Sequence, residues 1–170
     1  MSQEKIALFL PNLAGGGAER SMVTLANGIA ERGFRVHLVL AKKQGVYFDE
    51  VSDKVEVIFL NAPRTILSFP HLIRYLQRHR PAALISALEN ANLAAIWSKL
   101  LTGLPSRLIV TERSLNTLLF QSHARLELRI LPFLTRIFYR YADQIVAVSK
   151  GVEGDLRANG APADKIAVGD

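Results

Sequence analysis

Three glycines stand in a row at Gly15, Gly16 and Gly17, inside the stretch LPNLAGGGAERS, and lead straight into a helical pattern. Glycine frees the backbone to turn and lets a ligand come close, at a cost in chain entropy. A loop that ends on a helix N-terminus presents unpaired N–H groups and a partial positive charge, so its natural ligand is an anion. Glu19 and Arg20 open that helix and can reach back over the same cleft. Three further short segments carry polar groups of the kind that bind or react: ENAN with Glu89, Asn90 and Asn92, TERS with Glu112 and Arg113, and VSKGV with Ser149.

Known phosphate loops fit poorly. A dinucleotide fingerprint asks for G-x-G-x-x-G, and Gly15 and Gly17 meet its first two places, but Arg20 stands at the third. The second apolar run ends in AKK, without the acid that would hold a ribose. A Walker ending GK[ST] is absent. A bare strand-to-helix turn would be served by one or two glycines; three go beyond that need.

The elements that must carry these segments alternate regularly. Strands are expected at 5–11, 34–41, 55–61, 82–88, 107–112 and 143–149, with a seventh beginning at 165–168. Helices are expected at 19–33, 66–79, 92–101, roughly 123–141 and 150–160, and 44–54 reads as a surface loop or short insertion. Continuous apolar strands between amphipathic helices mean a parallel sheet buried on both faces. Right-handed crossovers make it a Rossmann-like doubly wound sheet, an α/β domain with helices on both faces. Ligands then bind beyond the carboxyl ends of the strands near the reversal of strand order, which is where all four polar segments fall.

The chain has 170 residues, enough for one domain with a real core. It lacks cysteine, which excludes a disulfide framework and a thiolate metal site. His37 lies inside an apolar strand and reads as structural; His71, His79 and His123 show no ligand spacing, so no metal site is expected. No apolar run is long enough for a membrane span, and the N-terminus does not read as a signal peptide, so a cytoplasmic location is expected. The net charge of +6 favours phosphate-bearing partners. Nucleic acid ranks low among them, because no recognisable module is present.

GGGAER, followed by an apolar helix and GFRVHLV, resembles the opening of retaining glycosyltransferases of the GT-B fold, in glycosyltransferase family 4. LIVTERS, DQIVAVSKGVEGDL and KIAV continue the resemblance in the same order along the whole chain. It implies an N-terminal, acceptor-side domain at residues 1–170, half of a two-domain enzyme whose donor-binding domain lies outside this sequence. The implied reaction is transfer from a nucleotide-diphosphate sugar to a glycan or lipid-linked acceptor with retention, in surface polysaccharide or glycolipid synthesis. No cofactor or metal is implied, and the piece alone is expected to be inactive.

In the resemblance, Gly15, Gly16 and Gly17 approach the donor's phosphates, with Glu19 beside them. Glu112 occupies the place where many members carry a histidine beside the sugar, which makes it the candidate catalytic residue. Arg113 can bind phosphate or pair with Glu112; a strand-end ion pair that only shapes the loop is the plainer reading. Asn90 and Asn92 suit a hydroxyl-rich acceptor and are also ordinary loop and cap residues. Ser149 can face the cleft, although an N-cap is the simpler role. Arg64, Arg74, Arg78 and Arg80, with Arg125, Arg129, Arg136 and Arg140 further on, make basic helices that could lie on an anionic membrane or merely face solvent. The alternative function is a non-catalytic nucleotide or phospho-ligand domain.

Overall fold

Seven parallel strands form one sheet in the order β3-β2-β1-β4-β5-β6-β7 in the structure, a computed structural model describing residues 4–113, 133, 134 and 136–169. The strands are β1 (Lys5–Leu10), β2 (Arg35–Leu40), β3 (Val55–Phe59), β4 (Ala83–Ala87), β5 (Arg107–Glu112), β6 (Gln144–Ala147) and β7 (Ile166–Val168). The described helices are α1 (Gly17–Glu31), α2 (Phe69–His79), α3 (Glu89–Thr102) and α4 (Lys150–Ala158). The doubly wound α/β reading of the sequence therefore holds.

Alternation along each strand sends neighbouring side chains to opposite faces, and this splits the core in two. Leu8 and Leu10 of β1 join Leu38 and Leu40 of β2 against Met22, Val23 and Ala26 of α1. Ala7 and Phe9 turn the other way, toward Leu72 and Leu76 of α2 and Ala91, Ala95 and Ile96 of α3. Val152 and Leu156 of α4 belong to that second cluster. Each fully buried leucine contributes roughly 1.5–3 kcal/mol relative to exposure, which is why the apolar runs had to become central strands.

Two helices begin earlier than their apolar periodicity suggests. α1 starts at Gly17 and α3 at Glu89, so ENAN is the first turn of a helix and not a loop. Periodicity detects only the buried stripe, whereas the first turn of a helix is commonly polar and exposed. The expected helix at 123–141 falls largely outside the described residues, as do His123, Arg125, Leu126, Arg129, Ile130 and Pro132; Arg136–Phe138 are helical and lead into a 3-10 turn at Tyr139–Tyr141.

His37 is structural, as its apolar surroundings imply. It is 3% exposed, and Tyr75 Oη lies 2.9 Å from its Nδ1 while Glu56 Oε2 lies 3.2 Å from its Nε2. A neutral ring with its proton on Nε2 satisfies both contacts. Burial lowers the His37 pKa; Glu56 opposes the shift, and Lys5 and His79 add to it. His79, stacked on Tyr75, is lowered by burial and by Lys5 and Arg78. Both rings thus take up protons at lower pH in the fold than in an unfolded chain, where histidine titrates near the ordinary value of about 6.5. Stability should be fully present above that pH and fall as the pH drops below it. Urea titrations at pH 7.5, 6 and 5 should show this decline, and His37→Gln should flatten it.

Candidate functional site

Strand order reverses between β1 and β4. From β1 the chain passes into α1 on one face; from β4 it passes into α3 on the other. The carboxyl ends of the two strands consequently open a crevice, the place where doubly wound sheets bind ligands. The glycine loop forms one wall of it.

That loop is held from outside by residues 44–47, part of the stretch expected as a surface loop or short insertion. Leu13 is completely buried; its N–H donates to Gln44 O at 2.8 Å, and its carbonyl accepts from Val46 N–H at 2.8 Å. Tyr47 Oη donates to Gly15 O at 3.2 Å. A Cβ on Gly45, whose φ is +149°, would strike the Leu13 backbone. Residues 44–47 therefore strap the glycine loop, and the isolated glycine in that stretch was the signal for it.

The three glycines are not equivalent. Gly15 has φ +119°, a backbone that side-chain-bearing residues rarely adopt. Gly16 has an ordinary φ of −81° and caps α1, and a Cβ there would meet only the movable Glu19 carboxylate. Nothing lies within 4 Å of where a Gly17 Cβ would sit. The fold needs one glycine; the other two leave the helix start bare. Glu19 reaches back over this start, as expected, whereas Arg20 turns away to Glu50 at 3.4 Å.

Arg113 comes to the same wall from the end of β5. Its Nη1 donates to Ser21 Oγ at 2.9 Å, and Ser21 Oγ donates to Gly17 O at 2.7 Å. Its Nε is buried without a hydrogen-bond partner among the described residues. Burial lowers the guanidinium pKa below its ordinary value, and Glu19 opposes that shift. The described contacts of Arg113 thus run toward the glycine loop, and its backbone rather than its guanidinium bonds Glu112.

Two expected site residues lie elsewhere than the sequence suggests. Glu112 is 1% exposed: Oε2 accepts from Tyr139 Oη at 2.8 Å and Oε1 from the Arg113 N–H at 3.0 Å. Asn92 is 0% exposed; its Nδ2 donates to Thr111 O and Tyr139 Oη, and its Oδ1 accepts from Ser86 Oγ. Neither side chain faces the crevice in this arrangement, so direct contact of Glu112 with a sugar and of Asn92 with an acceptor is not what the geometry offers. Strand alternation turns Glu112 inward, and the early start of α3 puts Asn92 on its buried face. Asn90, by contrast, is exposed in the first turn of α3. Leu88 before it has φ 75°, a strained backbone for leucine at a strand-to-helix junction beside the crevice. Ser149 caps α4, its Oγ accepting from Val152 N–H at 3.3 Å.

A sequence model of glycosyltransferase family 4 matches residues 15–168, from the first of these glycines to the last strand. The chain belongs to glycosyltransferase family 4. A relative in Campylobacter jejuni is 30% identical over 153 residues, 83% of this chain. Its name is GalNAc-alpha-(1->4)-GalNAc-alpha-(1->3)-diNAcBac-PP-undecaprenol alpha-1,4-N-acetyl-D-galactosaminyltransferase. The chain spans 39% of that relative's length. Sucrose-phosphate synthase of Thermosynechococcus elongatus shares the fold with a TM-score of 0.76 at 15% identity, over 98% of this chain and 47% of that one. The Anabaena protein Alr3699/HepE, solved with UDP and glucose, aligns with a TM-score of 0.70 at 16% identity, over 98% of this chain and 44% of its own.

Among the described residues of this family 4 domain, no group of three or more His, Asp or Glu gathers to hold a metal ion. No described helix is long and apolar enough to cross a membrane. The contrast within the loop assembly is open to measurement. Gly45→Ala should destabilise the domain by about 1–3 kcal/mol through strain and collision, whereas Gly17→Ala should shift it by no more than about 1 kcal/mol. Urea unfolding midpoints of the two variants read the difference directly.

Proposed function

We propose that the protein carrying this chain transfers a glycosyl group from a nucleoside diphosphate sugar to a glycan or lipid-linked acceptor, with retention of configuration. The observation that carries the reading is the pair Gly16 and Gly17: the fold does not require them to be glycine, and they clear the approach to the α1 N-terminus within a matched family 4 domain. The HepE structure with UDP and the lipid-linked acceptor in the Campylobacter relative's name support the same substrate classes. A role in surface polysaccharide or glycolipid synthesis follows from that acceptor class.

In the reaction, the bond from the anomeric carbon to the diphosphate breaks and a bond to the acceptor oxygen forms, with loss of the acceptor's hydroxyl proton. Negative charge grows on the departing diphosphate. The N–H groups of the first turn of α1 are fixed donors on one side of that charge, the preorganised kind of stabilisation that lowers such barriers, and the guanidinium of Arg113 braces that turn through Ser21. Glu19, whose carboxylate leans over the helix start, must yield when the diphosphate arrives. Asn90 is the exposed polar group across the crevice for an acceptor hydroxyl. No metal or cofactor is assigned to the chemistry.

We also infer a peripheral location at the cytoplasmic face of a membrane. Arg74, Arg78 and Arg80 are exposed on and just beyond α2, and Leu100 and Leu101 at the end of α3 are 46% and 67% exposed. Exposed basic charge and exposed apolar groups each suit an anionic bilayer. Co-sedimentation with phosphatidylglycerol vesicles, and none with phosphatidylcholine, is the expected result.

The activity test is a panel of sugar nucleotides offered to the complete gene product with lipid-linked and free glycan acceptors. One donor should be consumed. Gly17→Val should then lower kcat about 100-fold or more, the scale of one lost charge-stabilising donor, with an unchanged circular dichroism spectrum. Full activity of that variant would remove the glycine loop from the mechanism, and the 170-residue chain alone should transfer nothing measurable.

A further inference from the structure

Glu112 is the buried carboxylate that the crevice does not use, and the structure gives it another task. Along β5, side chains alternate between the two faces of the sheet. Glu112 points toward the cluster that contains Tyr139, whereas Arg113, one residue on, reaches Ser21 of α1 on the opposite face. One peptide unit at the end of the strand therefore joins groups on both sides of the sheet.

The bonds run without a break. Ser86 Oγ donates to Asn92 Oδ1 at 2.7 Å, Asn92 Nδ2 donates to Tyr139 Oη at 2.9 Å, and Tyr139 Oη donates to Glu112 Oε2 at 2.8 Å. Glu112 Oε1 accepts the Arg113 N–H at 3.0 Å; Arg113 Nη1 then donates to Ser21 Oγ, and Ser21 Oγ to the Gly17 carbonyl. Thr111 Oγ1 braces the base by donating to Ser86 O at 3.0 Å. A buried carboxylate must have its oxygens satisfied, so the Glu112 bonds fix the start of the Arg113 side chain. Complete burial and the adjacent Glu112 push the Tyr139 hydroxyl pKa well above its ordinary value, so it stays protonated as a donor. At the other end of the chain, the carbonyl held by Ser21 belongs to the first residue of α1, the helix whose start the glycines leave bare.

We propose that Arg113, anchored through Glu112 and Tyr139, is a positioning residue that holds the glycine loop and the first turn of α1 in place for the diphosphate, with Glu112 acting through it and not on the sugar. This deepens the glycosyltransferase reading and rests on it for the identity of the ligand, but the coupling itself runs through the chain's own side chains.

Hydrogen exchange followed by mass spectrometry on the complete gene product separates the two. Without ligand, Arg113→Met and Tyr139→Phe should each speed exchange in peptides covering residues 12–21 by about 3- to 10-fold, the effect of one lost hydrogen bond on local opening. Peptides from β2 and β3 should keep their rates. Arg113→Lys, which can still reach Ser21, should restore the loop to within about 2-fold of wild type. The proposal is overturned if Tyr139→Phe speeds exchange only in β5 and residues 139–147, or if lysine fails to rescue. Should Tyr139→Phe not fold, Arg113→Met and Arg113→Lys decide the matter, because the Arg113 side chain is only partly buried. Adding UDP to the wild type tests the ligand: loop coupling without UDP protection would retain the positioning role and sink the nucleotide reading alone.

Discussion

The crossing of the chain from one face of the sheet to the other between β1 and β4 is the constraint from which the rest of this domain follows. A parallel strand must be followed by a crossover, and right-handed crossovers send helices to opposite faces when strands are added in opposite directions. α1 leads leftward to β2, and α3 leads rightward to β5. No helix can then cap the ends of β1 and β4. The resulting crevice exists before any side chain is chosen, and the glycine loop, the strained Leu88 and the first turn of α3 are its edges.

Such an opening leaves strand ends with no helix over them, and they would otherwise be free to fray. Two devices counter this here. On the α1 side, the strap at residues 44–47 bonds the glycine loop through Leu13 and Gly15, with Gly45 admitting the close backbone contact. On the α3 side, Asn92, Tyr139 and Glu112 fill the space beneath β4 and β5 with a hydrogen-bonded polar network inside an otherwise apolar cluster. A network of this type is favourable only while its members remain paired, so it fixes one arrangement of the strand ends. Arg113 connects the two devices.

Solved structures of like fold show how little of this depends on detailed sequence. At 15% and 16% identity their backbones superpose with TM-scores of 0.76 and 0.70. What such chains must share is the two-sided apolar pattern of the strands and the crossover handedness. The polar groups at the carboxyl ends can vary without disturbing either requirement, which is how one sheet serves different substrates.

Read alone, the sequence determined the alternation of strands and helices, the doubly wound sheet, the structural place of His37 and the segments that would line the crevice. These depend on local matters: hydrophobic period, helix punctuation, and a glycine triplet exceeding the needs of a turn. Family resemblance added an expected substrate class. Tertiary structure alone decided what each polar group faces. Glu112 and Asn92 looked like crevice residues because they follow strands, yet strand alternation and the early start of α3 bury both. Tyr139 and Ser21 carried no signal, since each acts only through a partner distant in sequence: Glu112 lies 27 residues from Tyr139, and Arg113 lies 92 from Ser21. A periodicity extends over neighbours in the chain, whereas a hydrogen bond between faces of a sheet exists only once register and crossover have brought its two ends together.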